Sequence, residues 1–483
     1  MSRYVGEAVA TGRIVIRNVT VVDPGDGSSL AGQDVTVRDG VIAAIASTGA
    51  SSSGESVVDG TGKWLVPGYL DMHAHALNDP SDVDGAYALM LANGVTGFRQ
   101  MSGSPALLAA RRSGTLPAPV GAPRVLAIPG TILTAMNAGT PQAAATTVRE
   151  QQRDGADFVK AGTVGGPGLR AALEEGARIG IPVLGHLPAD MDPREAARLG
   201  MRSMEHLGPG ASMFAAASSR EDDVRPREAA PSAEPGPLAA LLSTGDEHAL
   251  EQIIRELTVN PAARTSPDDA RALALADDTF DEEKAEALAE IFVRYETWQC
   301  PTLVRTHTQQ FPHSSAHARD ARRRYMAPDE LERWDVSAAR FAQLPAAVRD
   351  TLERHWQSQL RLTRILADAG VPMLAGTDAD GASGVIPGFA LHDEFAYLAE
   401  AGLSPVTILR MATSEAARFL HLDAELGSIA PGFRADAVLL DADPFSTHEA
   451  LGAVAGVLRG GDWWDSRSLD DALRSVERAP GAR

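Results

Sequence analysis

The sequence predicts an α/β protein built on a (β/α)8 TIM barrel, with a small β domain formed by the two ends of the chain. Short apolar strand candidates alternate with longer helical patterns through the middle of the chain, which is typical of a parallel sheet. Alternating β-branched runs lie near both ends. No Gly-x-Gly-x-x-Gly follows any of the strand candidates, which argues against an open dinucleotide-binding sheet.

The β domain is predicted from segments at both ends of the chain. From Ile14 to Gly60, short alternating runs are separated by Asp-Pro-Gly, Asp-Gly and Gly turns, and similar runs span Ala435 to Pro444 and Val454 to Trp464. Chain termini often lie close together, and domains can be discontinuous. We therefore expect residues 1–63 and 430–483 to form one small β-sandwich domain.

The barrel is predicted for residues 64–429. Eight strand candidates can be counted, and eight is the number at which a parallel sheet closes on a packed interior. They begin at Trp64, Val95, Arg124, Asp157, Pro182, Arg202, Thr297 and Pro372.

One segment, residues 209–281, interrupts the alternation between the sixth and seventh strands. It is far longer than an ordinary connection, with a Ser-, Ala-, Pro- and charge-rich first part and a helical second part. An insertion on the loop face of a barrel is placed to act as a cap or lid over an active site. A surface elaboration or an oligomer contact explains it equally well.

Composition restricts the partners. The chain has 44 Lys and Arg against 64 Asp and Glu, a net charge of −20, which argues against nucleic acid or an anionic membrane as partner. Cys300 is the single cysteine, so metal chemistry falls to histidine and carboxylate. The first residues lack a signal-peptide core, and no apolar run is long enough to span a membrane. We expect a cytoplasmic homo-oligomer acting on a small-molecule substrate.

Six polar residues coincide with the carboxyl ends of five predicted strands, the face on which barrel enzymes build their active sites. They are His73, His75, Lys160, His186, His206 and Asp378. Each alone has an ordinary explanation, as a core histidine pair, a salt-bridge lysine or a turn aspartate. Together they form a set of imidazoles and a carboxylate that suits Zn, and also Mn, Co or Fe.

These motifs resemble the metal-dependent amidohydrolase superfamily. The similarity rests on VPGYLDMHAH from Val66, GADFVKAG from Gly155, SMEHLG from Ser203, His186, and AGTDAD from Ala375. It continues through the tail from Leu391 to Pro444. Within the superfamily, the lysine in Asp-Phe-Val-Lys resembles the one found in a particular branch. That branch contains prolidase-type dipeptidases, imidazolonepropionase-like proteins and ochratoxin-hydrolysing amidases.

The resemblance implies two divalent metal ions, most simply Zn. His73, His75 and Asp378 would hold one ion, and His186 and His206 the other. Lys160, as N6-carboxylysine, would bridge them, which requires a neutral amine with a lowered pKa. Hydrolysis would follow from attack of a metal-bound hydroxide on a carbonyl, with Asp378 as the catalytic base and then acid.

The sequence departs from many relatives on the substrate side. After His186 it has Leu187-Pro188 where they carry a second histidine, and Thr134 to Gly139 replaces a Gly-Gly-His cluster. Met136 and Trp298 are therefore candidate apolar pocket walls, although core packing is the commoner role. His307 is a candidate substrate contact, with a surface histidine group as the alternative. The basic run Arg322-Arg323-Arg324 is a solvated helix face or a site for a substrate carboxylate.

The leading interpretation is a binuclear metal hydrolase that cleaves an amide or peptide bond in a dipeptide, an N-acyl amino acid or an aryl amide. A cyclic amide hydrolase or deaminase would use the same six residues, and a lactone or ester hydrolase also stays open. A non-catalytic scaffold is disfavoured because the ligand set is complete.

Overall fold

The computed structural model describes residues 13–49, 56–225 and 259–478 of the chain. They form a mixed α/β structure. The strands are, in chain order, β1 Arg13–Asp23, β2 Ser28–Arg38, β3 Val41–Ser47, β4 Ser56–Asp59, β5 Trp64–Pro67, β6 Tyr69–Ala74, β7 Val95–Gln100, β8 Arg124–Ala127, β9 Val159–Ala161, β10 Val183–Gly185, β11 Ser203–Glu205, β12 Trp298–Cys300, β13 Ala437–Leu440, β14 Val454–Arg459 and β15 Asp462–Asp465.

The helices lie mainly between and around strands β6 to β12. They are, in chain order, α1 Val83–Ala92, α2 Pro105–Ser113, α3 Ala135–Ala138, α4 Pro141–Arg153, α5 Gly166–Ile179, α6 Pro193–Arg198, α7 Ser212–Ala216, α8 Glu221–Val224, α9 Pro267–Asp278, α10 Glu282–Arg294, α11 Leu303–Gln310, α12 Ser315–Ala318, α13 Pro328–Ala342, α14 Ala346–Asp368, α15 Phe389–Glu400, α16 Pro405–Met411, α17 Ser414–Phe419 and α18 Ser466–Arg478. Short 3-10 helices span Pro261–Arg264, Ala321–Tyr325 and Glu449–Gly452.

Segments from both ends of the chain share one sheet of eight strands. Its order is β15-β14-β13-β5-β1-β2-β3, and β4 pairs with β1. The link between the two ends is the antiparallel pairing of β13 with β5, in which Ala437 lies opposite Pro67. A core of buried aliphatic side chains, including Ile16, Val35 and Leu458, packs on this sheet. All of these strands belong to one hydrogen-bonded sheet. A sandwich needs two sheets, and the described part of the small domain has no second one assigned.

The first predicted barrel strand is divided into two. Trp64–Pro67 joins the sheet of the small domain, whereas Tyr69–Ala74 begins the parallel strands of the larger one. Gly68 separates them: its N–H donates to the carbonyl of Asp436 at 2.9 Å. A Cβ at this position would lie 2.1 Å from Thr96 Oγ1, so only glycine fits. The strand that begins at the predicted start of the barrel, residue 64, therefore belongs to the sheet of the small domain.

The parallel strands form two sheets, β6-β7-β8 and β12-β11-β10-β9. Strands β6 and β7 are buried along their whole length, as expected where helices cover a parallel sheet. Single parallel bridges connect Pro129 to Phe158, Gln299 to Met373 and Ala74 to Ala379. A closed eight-stranded barrel is not assigned over the described ranges.

The predicted eighth strand is present only as the bridge at Met373. Beyond it, Asp378 has a backbone φ of 64°, outside the region that a strand occupies. Nevertheless, the Thr377 N–H donates to the carbonyl of His73 at 3.1 Å. This segment therefore lies beside β6 and brings Asp378 to the end of that strand.

The insertion is described on both sides of residues 226–258, which lie outside the described residues and include the latter part of its Ser-, Ala- and Pro-rich stretch. Its last part contacts the loop after Asp378, because the Ser383 N–H donates to the carbonyl of Val259 at 2.9 Å. Asn260 Nδ2 also donates to the carbonyl of Gln309, on α11, at 3.1 Å. The part of the insertion at Val259 and Asn260 thus packs beside the strand ends where the predicted site lies. Within the described residues, no helix has the length and apolarity needed to cross a membrane.

Candidate metal centre

Three predicted ligands meet at the end of β6. His73 and the residue after the strand, His75, both direct Nε2 towards Oδ1 of Asp378, at 3.2 and 2.8 Å. Two residues apart on an extended chain, the two histidines share one face, and so both reach the same carboxylate oxygen. Two imidazole nitrogens and a carboxylate within this distance are able to bind one divalent cation.

Lys160, on β9, enters the same cluster. Its Nζ lies 3.4 Å from Nε2 of His73, and its side chain is 2% exposed. Burial lowers the pKa of Lys160 to about 8, against the opposing charges of Glu205 and Asp378. A neutral amine is the form of lysine that reacts with carbon dioxide, so the position is chemically suited to carboxylation.

His186 and His206 complete the predicted set. Their ring centroids are 5.0 Å apart, and the His206 ring lies 4.7 Å from that of His73. Burial, together with the positive charge of Arg305, lowers the pKa of His206 well below its usual value, and burial with Lys160 does the same for His186. Both imidazoles are therefore neutral, the state in which histidine binds a metal.

The donor atoms of His73, His206 and Asp378 all lie within 4.8 Å of one another. A second group at this spacing, His73 with Glu205 and Cys300, is less suited to a metal. Burial raises the pKa of the Cys300 thiol well above its usual value, so this sulfur is protonated. The first group therefore marks the more favourable position.

Asp378 is held between positively charged and imidazole groups. Oδ1 contacts the two histidines of β6, and Oδ2 contacts Nε of Arg305 on α11. Burial raises the pKa of Asp378, but His73 and Arg305 outweigh that effect and hold this pKa well below its usual range. Asp378 is consequently ionised.

Backbone strain is concentrated in this cluster. His206, Thr302 and Asp378 have φ values of 60°, 45° and 64°, in the left-handed region that non-glycine residues rarely adopt. The side chains of Thr302 and His206 are hydrogen-bonded through Oγ1 and Nδ1. This bond leaves Nε2 of His206 facing Asp378, at 4.0 Å from Oδ2.

A buried charged chain supports His73. Oε2 of Glu205 lies 2.7 Å from His73 Nδ1, and Oε1 accepts from Arg99 at 3.0 Å. Ser203 Oγ also donates to Oε1 at 2.6 Å. The contact of Nδ1 with Glu205 directs Nε2 of His73 towards Asp378, where a metal would bind.

Asp71 fixes the loop that carries Asp378. Its Oδ1 accepts from the N–H groups of His73 and Thr377, each at 3.1 Å, and its Oδ2 accepts from Thr377 Oγ1 at 2.7 Å. Burial raises the pKa of Asp71 to about 6, although the bond from Thr377 opposes this. The carboxylate thus joins the end of β6 to the neighbouring segment by three hydrogen bonds.

The three predicted substrate contacts lie in other surroundings. His307 is stacked between Phe311 and Tyr397, and its Nδ1 lies 2.9 Å from both His317 Nε2 and Tyr397 Oη. His317 belongs to the predicted histidine group, but His307 is half-buried rather than on the surface. A contact of His307 with substrate stays a prediction.

Trp298 is 2% exposed and belongs to an interior cluster of apolar side chains. It stacks edge-on against Phe419. These contacts are those of the core role, and a contact of Trp298 with substrate stays a prediction. Met136 is 54% exposed on the short helix α3, where its contact with a substrate stays a prediction.

Two residues of the cluster were not selected from the sequence, namely Arg305 and Glu205. Arg305 lies two positions before His307 in Pro-Thr-Leu-Val-Arg-Thr-His, so the sequence signal indicated the segment but not this side chain. Glu205 directly precedes His206, and its position on a short buried strand was a usable signal, since a buried carboxylate needs a partner.

Residues 337–463 match the amidohydrolase family. Among curated proteins, the chain is 39% identical over 67 residues to a dihydroorotase of Trichlorobacter lovleyi, which covers 14% of this chain and 15% of that protein. It is 37% identical over 70 residues to an uncharacterised protein of Mycobacterium tuberculosis, covering 14% and 11%. The chain thus spans only a small part of the length of these curated relatives.

Solved structures match over nearly the whole chain. Bottromycin amidohydrolase is 24% identical with a TM-score of 0.70, covering 98% of this chain and 92% of that one. A Xaa-Pro dipeptidase crystallised with methionine in its active site is 17% identical with a TM-score of 0.60, covering 94% and 100%. At these identities the similarity is one of fold.

Proposed function

We propose that this chain is a metal-dependent amidohydrolase that cleaves an amide or peptide bond of a small molecule, as its match to the amidohydrolase family over residues 337–463 and its fold support. The observation that carries the proposal is the meeting of His73 Nε2 and His75 Nε2 on one oxygen of Asp378. With them lie the buried Lys160 and the rings of His186 and His206. Burial lowers the pKa of His75, His186 and His206, which favours the neutral form in which an imidazole binds a metal.

The donor set fits two divalent ions, most simply Zn. We assign His73, His75 and Asp378 to one ion, His186 and His206 to the other, and Lys160, as N6-carboxylysine, to both. The lowered pKa values of Lys160 and of the imidazoles support this assignment, since each side chain can present a free lone pair. Bound divalent ions would supply Lewis-acid polarisation of a carbonyl and acidify a water molecule.

The chain's own residues would orient the reactants and move the proton. Asp378 is ionised and held on both oxygens, so it is placed to accept a proton from the attacking water and return it to the leaving amine. Glu205 fixes the ring of His73 through Nδ1. The part of the insertion around Val259, which contacts the loop after Asp378, is placed to restrict the entry of bulk water.

We also propose that the parallel strands close into the predicted (β/α)8 barrel. Three bridges support closure. The bridge at Pro129 connects the two sheets, the bridge at Gln299 connects the second sheet to the segment at Met373, and the bridge at Ala74 connects that segment back to β6. The carboxyl ends of such a barrel meet at one opening, which explains how residues so distant in the chain form one cluster.

A cyclic amide hydrolase or deaminase is the second candidate. The short matches to a dihydroorotase and to an adenine deaminase of Listeria welshimeri favour it. The same six side chains would serve, with attack on a ring carbon instead of an open-chain amide. Lactone or ester hydrolysis is a third outcome, since an activated water attacks either acyl group.

The test is a hydrolysis screen with the zinc-loaded, full-length protein. Its substrates are N-acyl amino acids, Xaa-Pro dipeptides, aryl amides, cyclic amides, adenine and lactones. The proposal expects turnover of open-chain amides above that of the other classes, abolished by a chelator and restored by zinc. Turnover confined to cyclic amides or adenine would favour the second candidate, and the absence of turnover from every class would refute hydrolysis.

A further inference from the structure

Arg305 is a buried guanidinium inside the cluster around Asp378. The residue is 8% exposed and lies in the first turn of α11, directly after β12. Its Nε contacts Oδ2 of Asp378, while Oδ1 of the same carboxylate contacts the two histidines. Arg305 therefore reaches the atoms at which the proposed chemistry takes place.

The hydrogen-bonding capacity of Arg305 is largely unused by the described residues. A guanidinium has five N–H donors in a planar fork. Its Nε is fully enclosed yet makes no hydrogen bond of good geometry, and the two terminal nitrogens donate to no residue in the described ranges. Beyond the contact with Asp378, the described residues offer this charged group no acceptor, which leaves the terminal nitrogens available to an incoming acceptor.

The charge around Arg305 also calls for an anion. With divalent ions held by His73, His75 and Asp378, the carboxylate of Asp378 is shared with a metal, and Arg305 loses part of its counter-charge. An incoming group that bears a negative charge would restore the balance, whereas a neutral group would not.

The arginines of the run from Arg322 to Arg324 already have acidic partners. In the run that the sequence offered for a substrate carboxylate, Arg322 pairs with Asp320 and Asp393, and Arg323 pairs with Asp335. Arg324 is half-exposed and lies 3.4 Å from Glu477. Arg305 differs from all three in being buried, close to Asp378 and short of acceptors.

From this geometry, we propose that Arg305 binds a carboxylate of the substrate through its two terminal nitrogens. The substrates are then amides of amino acids with a free α-carboxylate, such as N-acyl amino acids and dipeptides. This inference rests on the proposed hydrolase function and narrows its substrate class. Arg305 is placed to hold the carboxylate while the adjacent acyl–nitrogen bond lies beside Asp378, because one guanidinium edge already contacts that residue.

The experiment compares matched substrates in the zinc-loaded, full-length protein. A panel of N-acetyl-L-amino acids is offered as free acids and as carboxamides, and acetate release gives kcat/KM for each pair. For the N-acetyl amino acid that wild type hydrolyses best, kcat/KM of the free acid should exceed that of its carboxamide by at least about 30-fold. Hydrogen bonds to a charged group give discrimination of this size. Arg305→Met should bring this ratio to within about threefold of unity, and Arg305→Lys should give an intermediate ratio.

A binding measurement gives a readout besides activity. Calorimetric titration with the free L-amino acids and with their carboxamides, which are products and are not turned over, should show tighter binding of the acids to wild type. Arg305→Met should lose that difference while its zinc content, measured by emission spectrometry, stays at the wild-type value. Arg324→Met is the matched control, with both ratios unchanged.

The outcomes separate the two proposals. Wild-type turnover of amides without preference for the acid, or an Arg305→Met variant with the wild-type ratio, overturns the role of Arg305 and leaves the hydrolase standing. If wild type hydrolyses none of the substrate classes, the hydrolase fails. In that case the titration alone decides, and equal binding of acids and carboxamides overturns the carboxylate site.

Discussion

His73 Nδ1 lies 2.7 Å from Oε2 of Glu205, and both side chains are enclosed in the protein interior. The other oxygen of Glu205 accepts from Arg99, which is also buried. Burial raises the pKa of Glu205, but Arg99 and His73 outweigh it, and the pKa is strongly lowered. Glu205 is therefore ionised, and it holds His73 with Nε2 directed towards Asp378.

We expect Glu205→Gln to weaken metal binding. The amide accepts one hydrogen bond from His73 less strongly than a carboxylate, and a loss on the order of 10- to 100-fold in metal affinity is typical when such a partner is removed. Competition with a chromogenic zinc chelator measures the affinity. Arg99 also loses its counter-ion, so a lower unfolding free energy is expected, by about 3 kcal/mol.

Ser203→Ala is the matched control for that variant. It removes the hydrogen bond to Oε1 of Glu205 and leaves the contact between Oε2 and His73 in place. Its zinc affinity should change by less than about threefold. Equal affinity losses in both variants would contradict the positioning of His73 by Glu205.

Asp378→Asn should retain metal and lose most turnover. The amide oxygen can still bind a cation, but it cannot accept and return a proton, and general acid–base catalysis contributes on the order of 10²- to 10⁴-fold. Measurements of kcat on the best substrate of the screen, alongside zinc content, test this. Asp380→Asn, two residues further on at a φ of 65°, is the control with activity near wild type. Near-wild-type activity of Asp378→Asn would refute the assigned role.

Thr302 provides a conservative pair of substitutions. Thr302→Ser keeps the hydroxyl that is bonded to Nδ1 of His206 and removes a branched side chain from a φ of 45°. Thr302→Val keeps the shape and loses the bond. We expect normal zinc affinity from the serine variant and a roughly tenfold loss from the valine variant. Equal affinities in a chelator titration would show that Thr302 does not orient His206.

The buried carboxyl group of Glu394 should make the unfolding free energy depend on pH. It is fully buried on α15, and its Oε2 accepts from the Val304 N–H at 2.8 Å. Burial raises its pKa to about 8 from 4.5, despite opposing bonds from the backbone of α11. Between these two values the folded protein holds the proton and the unfolded chain releases it, so the unfolding free energy falls as the pH rises.

Glu394→Gln should therefore flatten the stability profile between pH 5 and pH 8. Asp71 and Asp380, with pKa values raised to about 6 and about 8, act in the same direction and are unchanged in the variant. Urea unfolding of metal-free wild type and variant across this range isolates the contribution of Glu394, which we expect to be a few kcal/mol at most. Parallel profiles would contradict a raised pKa.

The sequence predicted the cluster better than the sheets around it. His73, His75, Lys160 and Asp378 follow from strand-end positions, because the carboxyl ends of parallel strands meet at one face. The two-residue spacing of the histidines determines that they share a side of the strand. Both features are local in the sequence. The predicted positions of these side chains therefore stay correct even when a strand boundary is wrong by one or two residues.

Other features depend on contacts between distant segments. The split at Gly68 arises because Asp436, far along the chain, binds its N–H. Trp298 was read as a possible wall although it lies in the core, since a buried apolar residue gives no signal of which space it faces. Arg305 was missed because its partner, Asp378, is brought to it only by folding.

The central claim is that two divalent ions are bridged by a carboxylated Lys160. A crystal structure of the zinc-loaded protein with data collected at the zinc absorption edge tests it most directly. We predict two anomalous peaks, one beside His73, His75 and Asp378 and one beside His186 and His206, with density beyond Lys160 Nζ between them. A single peak, or density that ends at Nζ, in an active preparation would contradict the binuclear account.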